Sequence, residues 1–238
     1  MIRKLIALAA LTLAAQIHAA NYQPGTHYTV LPQAQRTNVP AGKVEVMEVF
    51  SYGCPACDRF VPAMKRLKAS LPPNAQIVYL PASWNKAEAW PLFQRAFLTA
   101  QSLGVAEKAH EEMFKAIWET GELGVVEKST GRLKKTLPTI EDAAKFYERV
   151  TGVKAADFVK ASKSFGVDMK VRQADAQIIA MRITGTPTIV VNGKYVLNSE
   201  HLKSLEEIIE LVNFLVAKES KPAAAPAAAP AAAPVKKS

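Results

Sequence analysis

Residues 43–60, KVEVMEVFSYGCPACDRF, contain the only two cysteines of the chain, Cys54 and Cys57. The part from 43 to 50 is apolar and rich in β-branched residues, which predicts a strand in the middle of a covered sheet. Beyond Cys57, apolar residues recur at helical spacing until the Pro-Pro pair at 72–73, which should end the helix. The cysteines therefore lie where a strand ends and a helix begins.

A Cys-x-x-Cys pair can bind a metal, staple a loop or carry out redox chemistry. A structural metal site normally uses four Cys or His ligands, and the histidines of this chain are scattered through different segments. A staple across four residues would constrain little of the unfolded chain, because disulfide stabilisation grows with loop length. We therefore expect no metal and favour a redox function.

The junction of strand and helix explains how the pair would work. The sulfur of Cys54 would face unpaired backbone N–H groups and the positive end of the helix dipole, both of which lower the pKa of a thiol. Cys57, one turn inside the helix, should be more buried and should resolve a mixed disulfide formed at Cys54. Stabilising the thiolate favours the reduced form, so the disulfide becomes easier to donate.

The two ends of the chain differ in composition from the rest. Residues 1–20 carry Arg3 and Lys4 before an apolar stretch and then small residues, which is typical of a cleaved secretory signal peptide. Residues 218–238 form a Pro/Ala-rich tail that we expect to be disordered. Without these ends the formal net charge of +9 falls by about five, so basicity does not indicate binding to nucleic acid.

The region between the ends predicts one α/β domain with an insertion. Residues 21–82 and 166–217 would form that domain, preceded by an N-terminal extension and closed by a helix from about residue 199. Residues 83–165 would form a helical insertion, because apolar residues line helical faces before Gly104 and before Gly121 and a capping box is expected at 139–142. Asn192-Gly193 separates two short β-branched runs and predicts a hairpin. A parallel pair of strands, an antiparallel hairpin and helices on both faces would complete one sheet.

Three motifs together resemble one known family. They are EVFSYGCPAC at 48–57, GTPT at 185–188 and VNGKY at 191–195, and the helical block lies between the first and the second. The combination resembles the DsbA family of periplasmic thiol:disulfide oxidoreductases. The resemblance implies an α/β, thioredoxin-like fold with an all-helical insertion, location in the periplasm and no cofactor. We also expect a monomer, because no separate dimerisation domain precedes the strand that begins at residue 43.

The resemblance also assigns roles to the site residues. It implies that Cys54 exchanges disulfides with substrate, that Cys57 resolves the intermediate, and that buried Glu48 transfers a proton to or from Cys57. A solvent-facing Glu48 is the alternative, and its alternation with Glu45 among apolar residues gives that alternative some weight. Thr186 and Pro187 would pack against the disulfide and bind the substrate backbone, although the sequence leaves open whether the bond before Pro187 is cis or trans.

Pro55 and Ala56 complete the active-site motif. Strong oxidants of the family commonly carry a histidine at the position of Ala56, where it helps to stabilise the thiolate. An alanine supplies neither charge nor a side-chain hydrogen bond, so we expect this protein to be a weaker oxidant.

The expected function is donation of the disulfide to reduced, newly exported polypeptides. By resemblance, a quinone-linked membrane protein of the DsbB type would then reoxidise the pair. Two alternatives remain: a disulfide isomerase or reductase that works with both cysteines reduced, and a non-catalytic, chaperone-like binding module. A pure binder would keep its holding activity when Cys54 is replaced by Ser, whereas an oxidase would lose all turnover.

Overall fold

A five-stranded sheet lies at the centre of residues 22–220, the part of the chain that this computed structural model describes. The strand order is β1-β5-β4-β2-β3; β2 and β3 are parallel and every other neighbouring pair is antiparallel. The strands are β1 (Tyr28–Val30), β2 (Val44–Phe50), β3 (Ala75–Pro81), β4 (Thr188–Val191) and β5 (Tyr195–Leu197). All seven residues of β2 are buried, as the sequence predicted for a covered central strand.

Three helices cover the sheet from within the α/β domain. They are α1 (Pro55–Ser70), α6 (Phe165–Ala180) and α7 (Leu205–Ser220). α7 begins about six residues later than the sequence suggested, because Ser204 caps it by accepting a hydrogen bond from the Glu207 N–H at 3.1 Å. The preceding residues Ser199–His201 form a separate short 3₁₀ turn.

The C-terminal boundary of the domain also differs from the prediction. Residues 218–220, assigned above to the tail, form the last turn of α7. Glu219 holds this turn against the β4–β5 hairpin by accepting hydrogen bonds from Asn192, Lys194 and Tyr195. The predicted signal peptide at 1–20 and the rest of the tail, 221–238, lie outside the described residues.

The insertion between β3 and α6 consists of four helices and one long irregular segment. The helices are α2 (Trp90–Ser102), α3 (Ala106–Phe114), α4 (Ile140–Thr151) and α5 (Ala155–Ser162). Thr139 and Asp142 form a capping box at the start of α4, and Gly152 ends that helix with φ of 85°. Residues 120–139 are irregular, with a single β-bridge between Val126 and Leu133.

The β4–β5 hairpin follows its sequence signal. Asn192 and Gly193 both adopt positive φ, 52° and 61°, as the central residues of a type I′ turn do. The Lys194 N–H closes this turn by donating to the Val191 carbonyl oxygen at 3.0 Å, and Val191 pairs with Tyr195 in the ladder. Gly193 is required for a second reason, since a Cβ at this position would lie 2.3 Å from the carbonyl oxygen of Gln35. The turn therefore fixes the register of β4, which begins directly after Pro187.

Candidate active site

Cys54 lies at the N-terminal end of α1, immediately after the turn that leaves β2. It occupies the N-cap position, and its carbonyl oxygen accepts hydrogen bonds from the N–H groups of Cys57 and Asp58 at 3.1 and 3.2 Å. Pro55 occupies the first helical position, where a missing N–H costs nothing. The structure thus places the pair at the junction of strand and helix that the sequence predicted.

The two sulfurs have different environments, although both cysteines are free thiols. Cys54 is 6% exposed and Cys57 is completely buried. A hydrogen bond from the Cys57 thiol, with further ones from the Thr186 side chain and the backbone N–H groups of Cys57 and Ala56, lowers the pKa of Cys54 to about 5. Donation of that hydrogen bond, together with burial, raises the pKa of Cys57 well above its usual range. At neutral pH Cys54 is therefore a thiolate and Cys57 a neutral thiol.

Thr186 and Pro187 lie directly beside Cys54. The peptide bond between them is cis. The Cys54 Sγ lies 3.4 Å from the Thr186 carbonyl oxygen, to which a thiol at this position donates. The Thr186 hydroxyl oxygen is buried and forms no other hydrogen bond within residues 22–220, so it remains available to the thiolate. Two segments that are 132 residues apart in the chain thus meet at one sulfur.

Glu48 lies inside the sheet and not on its surface. Its side chain is 3% exposed, and burial, together with the negative charge of Cys54, raises the pKa of its carboxyl to about 8. Glu45 is also buried and accepts a hydrogen bond from the Asn38 N–H at 2.6 Å. The solvent-facing alternative for Glu48 is therefore wrong, because helices and the N-terminal segment cover both faces of β2. Glu48 lines a cavity of about 70 Å³ together with Tyr79 and His110.

A larger groove runs past the cis-proline and was not foreseen from the sequence. Its volume is about 750 Å³, and it lies between β1, the loop that precedes β4, the end of β5 and the N-terminal halves of α1 and α7. Apolar and charged side chains both line it, among them Phe60, Arg182, Ile189, Glu200, Leu202 and Ile208. These residues come from four separate segments, so no local pattern in the sequence marks the groove.

Neither a metal site nor a membrane span is found in the part of the chain that the structure describes. Within residues 22–220 no group of three or more His, Cys, Asp or Glu side chains is arranged to hold a metal ion. None of the helices there is long and apolar enough to cross a membrane.

Comparison with known proteins gives a consistent result. A DSBA-like thioredoxin domain matches residues 133–210. The thiol:disulfide interchange protein DsbA of Pseudomonas aeruginosa is 32% identical over 225 residues, which cover 93% of this chain and 99% of that protein. The thiol:disulfide interchange protein DsbA of Azotobacter vinelandii is 32% identical over 211 residues, which cover 87% of this chain and 89% of that protein.

Solved structures agree with this result. The crystal structure of oxidoreductase DsbA from Xylella fastidiosa is 31% identical, with a TM-score of 0.70 over 83% of this chain and 97% of that one. The crystal structure of Pseudomonas aeruginosa DsbA is 32% identical, with a TM-score of 0.68 over 84% of this chain and 96% of that one. The chain therefore belongs to the DsbA family of protein thiol:disulfide oxidoreductases, with its thioredoxin-like α/β fold and helical insertion.

Proposed function

We propose that this protein is an exported oxidoreductase that donates a Cys54–Cys57 disulfide to reduced, newly exported polypeptides in the periplasm. The observation that carries the proposal is the hydrogen bonding around the Cys54 sulfur, which favours a thiolate. A stabilised thiolate is a good leaving group, and it favours the reduced form of the pair. Both effects favour transfer of the disulfide to the substrate. The signal-peptide pattern of residues 1–20 supports export.

Disulfide donation would take place in two exchange steps. A substrate thiolate attacks the Cys54 Sγ, the bond between the cysteines breaks, and Cys57 leaves with the electron pair. Glu48, whose burial keeps its carboxyl protonated near neutral pH, supplies the proton that Cys57 then holds. A second substrate thiolate attacks the substrate sulfur of the mixed disulfide, and Cys54 leaves as the stabilised thiolate.

The second step leaves two electrons on the enzyme, as the Cys54 thiolate and the Cys57 thiol. Turnover therefore needs an oxidant that accepts two electrons. By family resemblance we propose a quinone-linked membrane protein of the DsbB type for this role.

Substrate would bind as an extended chain beside the cis-proline. Thr186 and Pro187 present backbone next to the reactive sulfur, and extended peptides pair readily with such an exposed edge. The 750 Å³ groove begins at these residues and has room for the side chains that flank the substrate cysteine. Its mixed lining fits unfolded polypeptides of varied sequence better than one small molecule.

Two cysteine variants test the proposal directly. A Cys57→Ser protein mixed with a peptide that carries an activated disulfide should accumulate a mixed disulfide at Cys54, measurable as the added mass of one peptide. A Cys54→Ser protein should form none, because Cys57 is buried and protonated. Both variants should lose catalysed oxidation of a reduced two-cysteine peptide in glutathione disulfide. Turnover that persists in Cys54→Ser would refute the proposal.

The Cys54→Ser variant also separates the alternative functions. A chaperone-like binder would suppress aggregation of an unfolded protein equally well before and after this substitution. An isomerase would rescue a scrambled substrate while it stays reduced itself, and the substitution would abolish that rescue. An oxidase would instead show its loss in the oxidation of a fully reduced substrate.

A further inference from the structure

The turn that precedes Cys54 is buried and internally hydrogen-bonded. Ser51, Tyr52 and Gly53 form this turn, which leads from β2 into α1, and all three are buried. The Cys54 N–H donates to the Ser51 carbonyl oxygen at 3.1 Å, and the Gly53 N–H donates to the Ser51 Oγ at 3.2 Å. Any rotation of the turn therefore changes the direction in which the Cys54 sulfur points relative to its hydrogen-bond donors.

The insertion supplies side chains that hold this turn. The indole N–H of Trp118 donates to the Tyr52 carbonyl oxygen at 2.9 Å. The Tyr52 hydroxyl and the His110 Nδ1 are 3.0 Å apart, and the Tyr52 ring packs edge-on against Phe114 with a centroid distance of 4.9 Å. The insertion therefore contacts both the backbone and the side chain of Tyr52.

His110 carries no charge when it contacts the Tyr52 hydroxyl. Burial, with the nearby positive charge of Lys68, lowers the pKa of His110 to about 3. The imidazole is therefore neutral near pH 7, and its Nδ1 pairs with the Tyr52 hydroxyl as an uncharged group. This contact does not change its charge across the pH range in which disulfide exchange takes place.

A π-helical turn brings these side chains onto one face. His110, Phe114 and Trp118 are spaced four residues apart, and in a regular α-helix each such step drifts by about 40° around the axis. After Phe114 the helix widens into a π-turn at Lys115–Glu119, in which the Thr120 N–H donates to the Lys115 carbonyl at 2.9 Å. The wider turn offsets the drift and keeps Trp118 directed at the same loop as His110. Single π-turns of this kind are frequent at functional sites.

We infer that His110, Phe114 and Trp118 form a clamp through which the insertion positions the Ser51–Gly53 turn and so adjusts the reactivity of Cys54. Trp118 is the central positioning residue, since its N–H forms the one hydrogen bond found for the Tyr52 carbonyl within residues 22–220. The inference rests on the proposed role of Cys54 as the exchanging cysteine. It gives the insertion a part in setting the redox balance of the cysteine pair.

The clamp can be tested by removing one hydrogen bond at a time. Trp118→Phe keeps an aromatic ring but loses the N–H, and Tyr52→Phe keeps the ring but loses the hydroxyl. Each variant should raise the pKa of Cys54, measured from thiolate absorbance, by about half a unit to one unit. The equilibrium constant for oxidation of glutathione should fall by about 3-fold to 10-fold, since one pKa unit is a factor of ten. His110→Gln keeps a neutral side chain that can form a hydrogen bond with the Tyr52 hydroxyl. Its equilibrium constant with glutathione should stay within about twofold of that of the original protein.

Trp84→Phe is the matched control. Trp84 is 44% exposed and packs at a tilt against Trp90, with a centroid distance of 5.6 Å. The substitution removes the same indole N–H but leaves the Trp118 hydrogen bond to the turn in place. It should leave the pKa and the glutathione equilibrium unchanged. Unchanged values in Trp118→Phe and Tyr52→Phe, with only a lowered melting temperature, would show that the clamp merely joins the two parts of the protein. Turnover that persists in Cys54→Ser would overturn the proposed function together with the clamp, whereas unchanged Cys54 pKa values in Trp118→Phe and Tyr52→Phe would overturn the clamp alone.

Discussion

Replacing Glu48 by Gln should stabilise the reduced protein, and the gain should depend on pH. Burial raises the pKa of this carboxyl from 4.5 to about 8. A carboxyl with a folded-state pKa above its unfolded value holds its proton more tightly in the folded state. As the pH rises from 4.5 towards 8, the unfolded chain ionises first, and the folded state loses stability relative to it. Gln has nearly the same shape and does not titrate.

The size of the effect follows from these two pKa values. At pH 7 the unfolded carboxyl is ionised and the folded one is mostly protonated, so the penalty spans about 2.5 pH units, or about 3 kcal/mol. This figure changes little provided that the folded pKa exceeds 7. The penalty should vanish below pH 4.5, where both states are protonated, and level off above pH 8.

Urea unfolding of both proteins under reducing conditions measures this difference. The difference in free energy of unfolding between Glu48→Gln and the original protein should increase by about 3 kcal/mol, in favour of Glu48→Gln, between pH 4 and pH 7. The titration of Cys54 has the opposite sign, but both proteins share it, so it cancels in the difference. A buried amide can add a constant offset. A difference that does not vary between pH 4 and pH 9 would refute the reasoning.

Three further changes test the site. The alkylation rate of Cys54 in the reduced protein should reach half its maximum near pH 5, because hydrogen bonds lower its pKa; a midpoint near 9 would contradict this. Ala56→His should increase oxidising power in glutathione buffers, since an imidazolium stabilises the adjacent thiolate, and an unchanged equilibrium would exclude that effect. Gly53→Ala should lower the free energy of unfolding by about 1–3 kcal/mol, because its Cβ would lie 2.6 Å from the Trp90 ring. A melting temperature equal to that of the original protein would show that the Trp90 ring moves aside without loss of stability.

Local signals predicted much of the fold. The Asn192-Gly193 turn, the capping box at Thr139 and the apolar run of β2 each specify their structure through neighbouring residues alone, and each was found as predicted. Strand β1 was missed because it has only three residues and is defined by its pairing with β5. Residues 120–139 are irregular, although the sequence predicted an all-helical middle third, partly because Gly121 and Gly131 adopt positive φ.

The site was less predictable than the fold, because it depends on contacts between distant segments. The position of Cys54 follows from adjacent sequence, but its approach to the Thr186 carbonyl depends on how β4 pairs with β2. Neither His110 nor Trp118 carries a local sequence signal that marks it as part of the site. The isomer before Pro187 was also undecided, since the two forms of such a bond differ by only about 1 kcal/mol in a free chain.

The most direct test is the equilibrium reduction potential of the Cys54–Cys57 couple in glutathione buffers at pH 7. The pKa of Cys54 is about 5, whereas that of the reactive cysteine of thioredoxin is about 7. This difference alone would raise the reduction potential at pH 7 by about 50 mV. We therefore predict a potential above the value of about −270 mV that thioredoxin shows. A potential at or below that value would contradict disulfide donation and favour a reductase.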